Sequence, residues 1–154
     1  MRLTDEEKAM LDGVQGEPVS MFMNMLVTLG DIYGAERLLP VRSAHASGLS
    51  VRTLGEAGTL WAEDLVKAGT KVRVPTSMNV IGVDRIHDLG LPRQWVERQE
   101  RIMRAYSAMG CYVTSSCVPY YMGFLPRFGE HIAWGESSAV VFVNSVLGAR
   151  NNRE

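Results

Sequence analysis

The sequence predicts an α/β fold, with helices packed on a mainly parallel sheet. Three observations lead there. Helical and extended stretches alternate along the chain, the pattern of βα units rather than of segregated strands and helices. Glycines and prolines punctuate the ends of those stretches. Each extended stretch also runs into a polar loop, at Ser43–Ser50, Thr76–Asn79 and Ser115–Tyr121. Loops at the carboxyl ends of strands are where α/β proteins keep their sites.

Thr4 followed by Glu7 is a capping-box pattern, which predicts a short helix from Asp5 to about Leu11, ended by Gly13 and Gly16. Pro18 suits a first helical turn, and VSMFMNMLVTLG predicts a second helix closing on Gly30. Its Met21, Met25 and Leu29 recur at helical spacing and are expected to form a buried stripe. RLLPVRSAHASGLS predicts a short strand running into a loop of small polar residues. LGEAGTLWAEDLVKAG is an amphipathic helix closed by Gly69, and KVRVPTSMN alternates like a strand that stops at Pro75. Pro92 opens RQWVERQERIMRAYSAMG, a helix with Trp95, Ile102 and Tyr106 on its inner side and Gly110 as its C-cap. CYVTSSC is the strand after it. Residues Ser138–Gly148, SAVVFVNSVLG, are expected to be a largely buried helix despite their β-branched residues.

A length of 154 residues predicts a single domain with its own core. The net charge is −1 and the basic residues are scattered, so neither nucleic acid nor an acidic membrane surface is an expected partner. The longest apolar run is far short of a membrane span. The N-terminal MRLTDEEKAM is charged and lacks the apolar stretch of a secretory signal, which makes a cytoplasmic location the expectation. There is no G-x-G-x-x-G, Walker loop, G-x-S-x-G or H-E-x-x-H. Nucleotide enzymes, elbow-type serine hydrolases and zincins are argued against. Cys111 and Cys117 match no usual zinc or ferredoxin spacing, and two thiolates cannot complete a thiolate-only metal site. The chain stops at LGARNNRE directly beyond an apolar helix, which suggests one part of a larger enzyme.

The last third of the chain gathers Cys117, Glu130, His131, Glu136, Ser137, Ser138, Asn144, Ser145, Arg150, Asn151, Asn152 and Arg153. Each has a plain structural reading as well. Cys117 alone could be a small buried hydrophobe, and His131 a structural histidine. Ser138 could be an N-cap, and Arg150 could favour a helix C-terminus. Asn144 and Ser145 lie on an otherwise apolar helix and must find polar partners. Ser47 and Asn79, in the loops after the first two strands, join the candidate substrate contacts.

LGDIYGAERLLPVRSAHASG, VPTSMN, SSCVPYY and PRFGEHIAWGESSAVVFVNSVLGARNNRE together resemble the start of the large subunit or large domain of aconitase X. The likeness runs from about Leu3 to the end of the chain. It implies an aconitase-like large-domain fragment: residues 1–154 as one α/β domain, the N-terminal part of a longer large domain. Its partners would be the remainder of that domain and a small swivelling domain or subunit. The activity implied is an iron-dependent hydro-lyase acting on a small hydroxy acid. The cofactor would be iron, as an iron–sulfur cluster or a mononuclear ion, with Cys117 as a ligand and Cys111 structural. WGESSA would place Glu136, Ser137 and Ser138 at the substrate, while His131, Asn144, Arg150, Asn152 and Arg153 would complete the pocket. Iron would take the leaving hydroxyl, and Arg150 or Arg153 with Asn152 would hold an anion. The catalytic base, a serine of the small domain, is expected outside this chain, so the chain alone is expected to be inactive. Archaeal members carry a second cysteine where this chain has Ser115. On that ground cis-3-hydroxy-L-proline is the expected substrate, with mevalonate 5-phosphate the alternative. A reading of another class remains beside it: a non-catalytic scaffold whose polar cluster binds a partner chain.

Overall fold

The computed structural model describes residues 1–80, 90–135 and 148–151. Capping sets its first helix. In α1 (Asp5–Leu11) the Glu7 N–H donates to Thr4 Oγ1 at 3.2 Å, and the Thr4 N–H donates to Glu7 Oε2 at 2.6 Å. This is the reciprocal pair that the sequence predicts. Gly16 then turns the chain into α2 (Glu17–Ile32), with Pro18 in the first turn where a missing N–H does no harm.

Of the stripe expected to be core on α2, Met21 is half-buried, but Met25 and Leu29 face outward. Met25 and Leu29 are 52% and 51% exposed, and Met23 is the buried residue of this helix. The reason is position. α2 packs on α1 and reaches α3 (Val51–Lys67) through Phe22, which stands edge-on to Trp61 with ring centroids 6.2 Å apart. Periodicity finds an apolar face but does not say whether a neighbour covers it.

Among the described residues the sheet has five strands in the order β3-β2-β1-β4-β5, and every pairing is parallel. β1 (Ala44–Ala46) and β2 (Thr76–Met78) both fall in stretches that the sequence reads as loops. Pro75, read as the end of a strand, stands just before one. It has no N–H to give a ladder, but its carbonyl accepts from the Ala44 N–H at 3.0 Å. Thr76, Ser77 and Met78 are all buried, as a central strand covered on both faces must be. β3 (Tyr112–Val113) is shorter than the expected CYVTSSC strand. The sequence reading misses β4 (His131–Trp134) and β5 (Arg150–Asn151). The helix expected over Ser138–Gly148 lies, apart from Gly148, outside the described residues.

α3 and α4 (Arg93–Ala108) pack together against one face of the sheet, around Leu49, Val51, Met78, Val80, Ile102 and Cys111. Trp95 and Tyr106 line this cluster as expected. Burial pushes the Cys111 thiol up to about 11. On the outside, the Arg101 guanidinium forks onto Glu63 with contacts of 2.7 and 2.8 Å and reaches Glu56 at 3.2 Å. A smaller cluster holds Ile132, Trp134 and Ala149 against Tyr120 and Phe124, which belong to or flank a short 3-10 turn at Pro119–Met122.

Candidate functional site

Because all the pairings are parallel, the carboxyl ends of the strands share one edge. The chain runs outward from β1 to β2 to β3, then returns to place β4 on the other side of β1. The β1–β4 boundary is therefore a topological switch point, where the loops that follow the two strands diverge and leave a crevice for ligand.

Ser47 follows β1 at this crevice, and Gly135 follows β4. The Gly135 N–H donates to the His45 carbonyl at 3.1 Å. A Cβ at position 135 would collide with Ser47 Oγ and stand 3.3 Å from that carbonyl oxygen. Only glycine lets the two strand ends approach so closely. Asn79 follows β2, and its N–H donates to the Ala46 carbonyl at 2.8 Å, which ties the second loop to the first strand.

The loop after β3 is held by one acceptor. Thr114 Oγ1 and the Ser115 N–H both donate to the Met78 carbonyl, at 2.9 and 3.1 Å. Ser115 adopts a left-handed φ of +46°, uncommon for a residue with a Cβ, and turns the chain off the sheet. Ser116 Oγ then accepts from the Val118 N–H at 3.1 Å, a local turn that leaves Cys117 exposed between them as a free thiol. Cys111, in contrast, is a buried free thiol of the core.

Ser47, Asn79 and the Cys117 loop thus come from three strand ends along one edge. His131 and Arg150 do not join them. They begin β4 and β5 and are register partners at the opposite, amino edge, roughly 13 Å along the strand from Gly135 at about 3.3 Å per residue. There the His131 carbonyl accepts from the Arg42 N–H and the Glu130 carbonyl from the Arg150 N–H, both at 2.8 Å. The same edge carries a cleft of about 420 Å³ between Arg42, Tyr112, Phe124, Arg127 and Glu130. Glu136, Ser137, Ser138, Asn144, Ser145, Asn152 and Arg153 lie outside the described residues.

Two groups that sequence reasoning passed over shape the site. His45 and Ser77, on adjacent strands, are 3% and 0% exposed and bonded from Nδ1 to Oγ at 2.7 Å. The signal was a histidine among alanines and serines in RSAHAS, where small neighbours leave room for a ring. Gln99 of α4 is buried and grips the loop after β1, its Nε2 donating to the Leu49 carbonyl and its Oε1 accepting from the Val51 N–H, both at 2.9 Å. No sequence pattern distinguishes it from the other polar residues of that helix.

Among the described residues no three His, Cys, Asp or Glu side chains come together in a way that could hold a metal ion. Cys117 is a free, exposed thiol that could supply one ligand, and no two other His, Cys, Asp or Glu side chains among the described residues join it in such a group. Among them, too, no helix is long and apolar enough to cross a membrane.

An all-parallel sheet with a serine, an asparagine and a free thiol beyond its carboxyl edge defines an α/β domain whose candidate site is that edge. The chain belongs to the aconitase X family: the model of the aconitase X first domain matches residues 1–154. It is 47% identical, over its whole length, to the phosphomevalonate dehydratase large subunit of Methanocaldococcus jannaschii, of which it covers 39%. It is 39% identical to the cis-3-hydroxy-L-proline dehydratase of Pseudomonas aeruginosa, covering 26% of that protein. The crystal structure of Thermococcus kodakaraensis aconitase X in its holo-form superposes with a TM-score of 0.88 at 47% identity. That match covers all of this chain and 38% of the other. The chain therefore spans well under half the length of these relatives.

Proposed function

We propose that this domain forms one wall of the active site of an aconitase X hydro-lyase, which removes water from a small hydroxy acid. The observation that carries the reading is the 47% identity, along the whole of this chain, to a large subunit named for dehydration. The position of Ser47, Asn79 and the Cys117 loop beyond the carboxyl ends of β1, β2 and β3 supports it. Dehydration asks for a base, an acid for the leaving hydroxyl and donors for the carboxylate. Ser47 and Asn79 are assigned as such donors, with Glu136, Ser137, Ser138, Asn144, Asn152 and Arg153 completing the site. His131 and Arg150, at the far edge, are assigned to the architecture instead. Cys117 would hold iron together with ligands from the rest of the enzyme. Bound iron would supply the Lewis acid for the departing hydroxyl. The base is assigned to a small swivelling subunit or domain, and the enzyme to the cytoplasm.

For the substrate we infer mevalonate 5-phosphate, because identity to the archaeal large subunit exceeds that to the hydroxyproline enzyme, 47% against 39%. The phosphate would need cationic or backbone donors. The exposed Arg52, at the amino end of α3 just beyond the carboxyl end of β1, would be such a cation. A second reading, cis-3-hydroxy-L-proline, is favoured by Ser115 in place of the second cysteine of archaeal members. Assaying the assembled enzyme on both compounds decides between them, and turnover of neither would overturn the dehydratase reading. In that enzyme Cys117→Ser is expected to abolish metal-dependent turnover while Cys111→Ser retains it. Equal losses would mean that Cys117 serves packing rather than ligation.

A further inference from the structure

Among the described residues nothing covers the outer face of α2. Phe22, Met25, Leu26, Leu29, Ile32 and Tyr33 fall on one side of the helix at successive helical turns. Met25, Leu26 and Leu29 are about half exposed, Ile32 is 70% and Tyr33 83% exposed. Through the Phe22–Trp61 contact the stripe continues onto α3, where Trp61 is 42% exposed. None of these side chains is charged. A contiguous uncharged patch of this kind marks an interaction surface rather than ordinary scatter of apolar residues.

We propose that this face is the permanent seat of the polypeptide that lies beyond this domain in the complete large subunit. Two observations choose that occupant. The relatives' large subunits are far longer, this chain matching 39% of the length of the M. jannaschii protein, so most of such a subunit is available to cover it. The stripe also lacks the charged groups expected of a surface that parts and re-forms, since transient domain interfaces are the more polar ones. A swivelling subunit would need such a surface, whereas a fixed neighbour within the same chain would not.

The inference rests on the reading that the domain works inside a longer large subunit, and its test is separable from turnover. Leu29→Cys and Ile32→Cys are placed singly in the complete large subunit, with Lys8→Cys on exposed α1 as the reference. Maleimide labelling is followed by peptide-resolved mass spectrometry, which keeps Cys111 and Cys117 separate. With the large subunit alone, labelling at positions 29 and 32 is expected to be slower than at position 8 by on the order of 100-fold. Equal rates at all three positions overturn the proposal. Protection that appears only on adding the small subunit assigns the face to that subunit and also overturns it. Protection that fades on dilution assigns the face to a second copy, which overturns it as well. Dehydration without protection would sink this inference alone, and protection without dehydration would sink the activity alone.

Discussion

The α3–α4 layer and α2 of the α1–α2 hairpin both carry an apolar face, yet only the first has buried it. Around α4, Ile102 is fully buried, Val96 and Ala105 nearly so, and Gln99 spends its amide on the backbone of the loop after β1. On α2, Met23 is buried while the wider face of Met25, Leu26, Leu29, Ile32 and Tyr33 stands in solvent. Surface charge follows the same division. Arg98 and Arg101 tie α4 to Glu56 and Glu63 of α3, whereas α2 carries no basic residue at all. A helix pair that is finished by its own domain surrounds its apolar stripe with partners and ion pairs. A helix that awaits a neighbour keeps its apolar stripe bare.

Substitution should expose that difference directly. Ile102→Ala, which opens a cavity between α3, α4 and the sheet, is expected to cost about 2–5 kcal/mol of unfolding free energy. A urea midpoint within error of wild type would mean that the layer is less tightly built than its burial implies. Gln99→Ala leaves the Leu49 carbonyl and the Val51 N–H without their partner and is expected to cost about 2–3 kcal/mol. Because this loop carries Ser47, the assembled enzyme should also lose substrate affinity. An effect on stability with KM unchanged would detach Gln99 from the site.

The Cys111 thiol adds a smaller, pH-dependent effect. Its folded value, raised by burial to about 11, lies above the ordinary thiol range, so the folded state holds the proton more tightly than the unfolded chain does. The associated stability is intact below the unfolded value, falls as pH rises between the two, and is gone above the folded value. Its full size, two pH units at about 1.4 kcal/mol each, is up to about 2.7 kcal/mol. Urea midpoints measured on either side of that window should converge for wild type and Cys111→Ser at the alkaline end. Parallel pH curves for the two proteins would refute the assignment.

The smallest effect belongs to α2. Leu29→Ala on the isolated domain is expected to change stability by no more than about 0.5 kcal/mol, as at other exposed positions. In the complete large subunit the same substitution should cost about 2 kcal/mol or more, as a buried leucine does. Equal costs in the two settings would erase the contrast between the helix pairs.

Local patterns were legible where local physics decides. Thr4 and Glu7 cap α1 reciprocally, Pro18 opens α2 and Pro92 precedes α4, because these depend on residues a few positions apart. The α/β class followed from alternation, and the placing of Ser47, Asn79 and Cys117 beyond strands followed from the polar loops. Strand positions were less legible. β1 and β2 are three-residue strands of small and polar side chains, which carry little intrinsic strand preference and become strands because parallel neighbours pair with them on both sides.

By itself the sequence determined the class of fold, the capping box of α1, the family likeness and the apolar face of α2, though not the end of that helix, which lies at Ile32 rather than Gly30. Tertiary structure alone decided that Cys111 is core while Cys117 is displayed, and that Gln99 holds the loop after β1. It also decided that His131 and Arg150 stand a strand's length from Ser47, and that the α2 face lies open among the described residues. The physical reason is range: caps and turns are closed by neighbours in sequence, whereas burial and convergence depend on strands brought together from distant parts of the chain.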